Sequence, residues 1–123
     1  MTMIYLWINA ALYAVFAIMC ATRVKATARS IGYPSLTPSG VSEYLTVYGG
    51  LQVGLAAFFA WTAYQPALHA TGLIFALCLY APIVLFRWAS VLRQWPVTAM
   101  TLSIGLLEAA LLAAAIALWW LER

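Results

Sequence analysis

Glu108 is the only charged residue between Gln94 and Leu121, and it lies in an otherwise apolar run. With a helix starting near Val97, it falls about 11 residues in, roughly 16 Å along the axis at 1.5 Å per residue. An acid at that depth in a membrane either pairs with a cation or titrates, and it marks a candidate functional site. Arg87 is the partner to expect. It stands about two turns inside the end of the preceding helix, and the tight Gln94-Trp95-Pro96 connection makes the two helices neighbours. The other acid of interest, Glu43, opens an apolar run, where a helix N-terminus or solvent accommodates it.

Other polar residues recur at helical spacing. Tyr5, Asn9 and Tyr13 lie four apart, as do Tyr44, Tyr48 and Gln52. Tyr80 and Arg87 lie seven apart, and so do Thr101 and Glu108. Residues four or seven apart overlie one another on a helix. Polar groups facing lipid are costly, so these stripes are expected to point inward and meet. Asn9, Tyr13, Tyr48, Gln52, Tyr80, Arg87 and Glu108 form the candidate polar cluster. It is either packing glue between helices or the lining of a small cavity.

Other chemistry is poorly supported. Cys20 and Cys78 sit inside apolar runs and read as small hydrophobes rather than a disulfide or metal ligands. His69 is the one histidine and has no cysteine or acid near it in sequence, so no metal is expected. There is no Ser/His/Asp set, no Cys pair and no glycine-rich phosphate loop, so no catalytic residues and no cofactor are expected. The net charge of +3 comes from residues flanking apolar runs, without a basic stripe, and nucleic acid is not an expected partner.

The elements that must position the cluster follow from the charge pattern. Residues 1–22 and 44–86 carry no charge, and the second run is long enough for two crossings. A bilayer core needs about 20 mostly apolar residues per helix. Hydrophobic residues make up 67% of the chain and charged residues 7%, far from the roughly 25% charged of a soluble domain. The expectation is one all-α domain over residues 1–123, an integral membrane four-helix bundle of antiparallel up-down topology. Its helices run at about 3–22, 41–63, 68–93 and 97–121. Pro34 and Pro38 keep the first connection non-helical, Ser39 or Ser42 caps the second helix, and Pro82 predicts a kink near Cys78–Pro82. The first run has no Lys or Arg before it and reads as a retained span rather than a signal peptide. Gly50 and Gly54 form a small-xxx-small pair, expected to pack the second helix on a neighbour, with a dimer contact as second choice.

Arg23, Lys25, Arg29, Arg87 and Arg93 collect at one set of span ends and only Arg123 at the other. Positive residues stay cytoplasmic, so both termini are expected on the periplasmic side of the inner membrane. Trp7, Trp61, Trp88, Trp95, Trp119 and Trp120 lie near span ends, as interfacial aromatics do.

The run Ser42-Glu43-Tyr44-Leu45-Thr46-Val47-Tyr48-Gly49-Gly50-Leu51-Gln52-Val53-Gly54 resembles the acid-then-Tyr-Gly-Gly-Leu-x-x-Gly segment of small bacterial four-helix membrane proteins, the domain-of-unknown-function 4345 family. It is more loosely similar to DoxX-type proteins. Arg87 and Glu108 look like that family's helix-3 arginine and helix-4 acid. Tyr44–Leu45 stands where the family would place a basic residue, so no ion pair of Glu43 within its helix is implied. The resemblance implies a four-helix membrane bundle and no established activity. Association of DoxX-type relatives with quinone-linked oxidoreductases is the hint it adds. Together these features favour a non-enzymatic membrane component whose inward cluster binds a lipid or quinone-like amphiphile, or which serves a partner membrane protein or its own oligomer. The alternative is a small proton-coupled transporter or channel using Glu108.

Overall fold

The computed structural model describes residues 1–122; Arg123 lies outside the described residues. It is helical throughout, with no strand among those residues. Helix α1 spans Thr2–Thr22, α2 Val24–Ser30, α3 Pro38–Tyr64, α4 His69–Arg93 behind a single 3₁₀ turn at Pro66–Leu68, and α5 Ala99–Leu121. Helices α1, α3, α4 and α5 are long and apolar enough to cross a membrane. A helix of 21 residues, as in α1, is about 30 Å long, the thickness of a bilayer's hydrocarbon core. These four helices point to a multi-pass membrane protein.

The helix starts follow local chemistry. Thr37 is extended and its hydroxyl accepts the Gly40 amide at 3.1 Å, with Pro38 at the first helical position. That cap begins α3 three residues before the expected Val41 and displaces Ser39 and Ser42 from the capping role. Thr98 likewise caps α5 by accepting from the Thr101 amide, so the helix starts at Ala99 rather than at Val97. The connection after α1 is not wholly irregular. Val24–Ser30 contains neither proline nor glycine and forms α2; both prolines come after it. Helix α4 runs through Pro82 without interruption.

Helix α3 contains a stretch with no sequence signature. Leu45–Leu51 is wound as a π-helix between two α-helical halves. At its exit the Gln52 side chain reaches back five residues and donates to the Val47 carbonyl at 3.3 Å. A π segment widens the helix and re-aims its side chains, and such segments are frequent at functional sites.

Helix α1 packs closely along α3, and α4 packs on α5. One core cluster, including Leu6, Phe59, Ala76 and Ala115, each at 0% exposure, joins all four long helices. A second, smaller cluster of Cys20, Ala28 and Tyr44 seats α2 against α1 and α3. The Tyr44 hydroxyl donates to Thr27 Oγ1 at 2.8 Å, which ties α3 to α2. At the chain ends, Glu122 accepts hydrogen bonds from the hydroxyl and amide of Thr2.

The glycine pair expected to pack α3 does not do so. A Cβ on Gly50 or Gly54 would meet nothing within 4 Å, and both positions are exposed. When every face of a helix is apolar, small-xxx-small spacing does not say which face points inward. The close approaches lie elsewhere. A Cβ on Gly72 of α4 would come 2.8 Å from Leu6 Cδ2 and 2.9 Å from Thr62 Oγ1, so this glycine lets α1, α3 and α4 meet.

Candidate functional site

Between the two core clusters the long helices part around a cavity of 710 Å³. Tyr13, Tyr48, Gln52, Tyr80, Arg87 and Glu108 line it, with Thr101 beside them and Tyr33 of the α2–α3 connection. Six of the seven expected cluster residues therefore share one space. Asn9 does not line it. It is fully buried behind Tyr80, accepting that hydroxyl on Oδ1 at 2.6 Å and donating from Nδ2 to the Tyr5 carbonyl at 2.8 Å. The Tyr5 hydroxyl in turn donates to the Leu111 carbonyl at 3.0 Å. This line of bonds ends on backbone carbonyls. It binds α4 to α1 and α1 to α5, and it leaves no buried side-chain polar atom unpaired among the described residues.

The charged centre is a side-on, two-point pair. Arg87 Nε donates to Glu108 Oε2 and Nη2 to Oε1, both at 2.7 Å. Planar guanidinium meets planar carboxylate, the strongest geometry available to an ion pair. The side chains are 31% and 16% exposed respectively. Gly105 makes this reach possible. It lies three residues before Glu108 on the same face of α5, and a Cβ there would stand 3.3 Å from Arg87 Cγ and 3.5 Å from Cδ. The aliphatic stem of Arg87 thus crosses α5 over a glycine, bringing its head level with the acid. Gly105 and Tyr33 are site residues that sequence reasoning missed. The i, i+3 spacing of Gly105 to Glu108 was the available signal for the first; a loop residue folding back, like Tyr33, gave none.

Aromatic rings form the walls. Tyr13 stacks on Phe59, with centroids 5.8 Å apart and planes within 3°, and lies 6.5 Å from Tyr80. Tyr48, carried by the π segment, stacks on Tyr44 at 4.6 Å. The winding of Leu45–Leu51 is thus what positions Tyr48 at the cavity, with the Gln52 amide following at its end.

The rim is different in character. Leu12, Val15, Met19, Val47, Leu51 and Leu107 line the cavity yet are exposed at the surface. They lie within the apolar spans, so the mouth faces the lipid side of the molecule. Helices α3 and α5 both contribute lining residues but do not pack closely on one another. Leu6, Phe59, Ala76 and Ala115 pack together in the core cluster, each at 0% exposure.

The remaining chemistry-bearing residues stay apart from this site. His69 Nε2 lies 3.2 Å from the Ala63 carbonyl and braces the α3–α4 turn. Cys20 is buried, Cys78 is exposed, and both are free thiols. No group of three metal-ligating side chains occurs among the described residues. Glu43 is exposed on the first turns of α3. No family model, curated protein or solved structure matches the chain.

Proposed function

We propose that the protein is an inner-membrane bundle of four antiparallel spans that holds an amphiphile in its interior cavity, with both termini periplasmic. The observation that carries this reading is the cavity itself. Its rim is apolar and lies on helices long and apolar enough to cross a membrane, while its lining gathers Arg87, Glu108, Tyr48 and Gln52. A pocket of 710 Å³ is within the roughly 300–1,000 Å³ typical of small-molecule sites, which are mostly apolar with a few placed polar groups. An amphiphile matches both surfaces at once, its chain at the rim and its head at the polar groups.

Transport is supported less well. Both Glu108 oxygens are engaged by Arg87, and the buried polar side chains Asn9 and Thr62, beyond Tyr80, donate to backbone carbonyls amid apolar side chains. A proton path through the bilayer needs a chain of titratable or hydroxylic groups, whereas the Tyr80–Asn9–Tyr5 line ends on carbonyls.

The test is native mass spectrometry of protein released from gentle detergent. A single amphiphile carried per chain is the expected result. Protein that is bare in every detergent tried, and that takes up nothing from a membrane lipid extract, would remove the reading. For orientation, reporter fusions after residue 123 should be active in the periplasm and silent in the cytoplasm.

A further inference from the structure

We infer that the cavity selects an amphiphile with an uncharged, hydrogen-bond-accepting head and rejects carboxylate and phosphate heads on chains of the same length. This rests on the amphiphile reading above and specifies its ligand class.

The reason lies in the charge balance of the lining. Arg87 and Glu108 are the only ionisable acid and base among the residues around the cavity, and they neutralise one another at 2.7 Å. An anionic head brought to the pair would meet an arginine already occupied and a carboxylate of its own sign. It would either share Arg87 with Glu108 against the repulsion of a like charge or displace Glu108 and leave that carboxylate unpaired in an apolar site, and both are unfavourable. A cationic head faces the mirror problem with Arg87. A neutral head meets neither.

Donors for such a head are present. A guanidinium carries five N–H groups, and Glu108 takes two of those of Arg87. The rest, with the phenols of Tyr13 and Tyr48, surround the same space, and the Thr101 hydroxyl beside them is paired with Thr98 Oγ1 at 3.1 Å. Carbonyl and hydroxyl oxygens accept from these groups without adding charge. The ion pair thus acts as a neutral donor platform, held in shape by its two-point geometry, rather than as an anion receptor.

The experiment uses three diazirine-bearing probes of one chain length: a monoacylglycerol, the corresponding fatty acid and the corresponding lysophosphatidate. Each is added to the full-length protein in micelles at neutral pH, and labelled residues are mapped by mass spectrometry. The monoacylglycerol should label rim residues such as Val15, Leu51 and Leu107, about tenfold more than either anionic probe, a difference of about 1.4 kcal/mol. Equal or stronger rim labelling by the anionic probes would overturn the head-group inference and leave amphiphile binding standing. Rim labelling by none of the three would overturn both. Two variants separate charge balance from mere shape. Glu108→Gln leaves Arg87 unpaired and should turn the preference toward the fatty acid and lysophosphatidate. The double variant Arg87→Gln/Glu108→Gln restores neutrality and should keep rejecting them. A double variant that accepts the anionic probes as well as the neutral one would refute selection by charge balance, whatever the fate of the single variant.

Discussion

Removing one partner of the Arg87–Glu108 pair should destabilise the protein far more than removing both. The pair is two-pointed and largely shielded, at 31% and 16% exposure. Breaking a fully buried pair by deleting one partner costs about 3–5 kcal/mol, and an exposed pair is worth about 0.2–1 kcal/mol. Given the partial exposure of Arg87, each single change to Gln should cost about 2–3 kcal/mol, between these limits. Exchanging both partners for neutral side chains is often close to neutral, so the double variant should lose about 1 kcal/mol or less. The resulting coupling, about 3–6 kcal/mol, stands well above the roughly 0.6 kcal/mol average for interhelical hydrogen bonds measured in another membrane protein. The two single variants should also differ in acid. A stranded carboxylate can take up a proton, whereas a stranded guanidinium cannot lose one. Lowering the pH should relieve Arg87→Gln and leave Glu108→Gln unrelieved. Equilibrium unfolding of the four proteins in mixed micelles, at two pH values, measures all of this. Additive losses, with a coupling under about 0.5 kcal/mol, would refute the pair as the organising contact of the site.

Other expectations follow from neighbouring contacts. Gly72→Ala places a methyl against Leu6 and Thr62 and should cost about 1–3 kcal/mol, while Gly54→Ala meets open space and should be neutral or slightly stabilising by unfolding in the same micelles. Tyr80→Phe removes the donor to Asn9 Oδ1 at a fully buried site and should cost about 1–3 kcal/mol; an unchanged midpoint would mean that Asn9 finds another partner. The hydroxyl and amide of Thr2 hold the Glu122 carboxyl below its ordinary value of 4.5. A folded-state value below the unfolded one gives stability that is present above the ordinary value and lost as the pH falls through the folded one. Glu122→Gln should therefore be less stable than the parent at neutral pH and indistinguishable from it in strong acid, as thermal melts will show.

The four spans were legible because length and the absence of charge suffice to define them. Charges cluster at Arg23–Arg29 and Arg87–Arg93, and the helices end beside them. The polar stripes were legible for a related reason, since lipid outside leaves polar groups only one favourable direction. What was hidden depended on features that periodicity does not encode. Leu45–Leu51 includes the weak helix formers Gly49 and Gly50, but nothing in them says π rather than α winding. Thr37 and Pro38 together start α3 early, although Pro38 alone reads as a breaker. Gly50 and Gly54 carry the familiar Gly-xxx-Gly spacing on an outward face, while Gly72 and Gly105, neither with a second glycine four residues away, make the close approaches. In a soluble helix an apolar stripe would have told inside from outside. Here the surrounding lipid is as apolar as the interior, and only the polar residues give direction.

An amphiphile held in the cavity is tested most directly by filling that space. Ile83 lines it, whereas Leu85, two residues on, is exposed on α4 outside the lining. Ile83→Trp should occupy the space that a ligand would take, and Leu85→Trp adds the same side chain to the outer surface. Native mass spectrometry of the parent and both variants, purified alike, reads the bound load. One amphiphile per chain in the parent and in Leu85→Trp, with little or none in folded Ile83→Trp, is the predicted result. The same load on all three proteins would contradict a ligand seated between these helices.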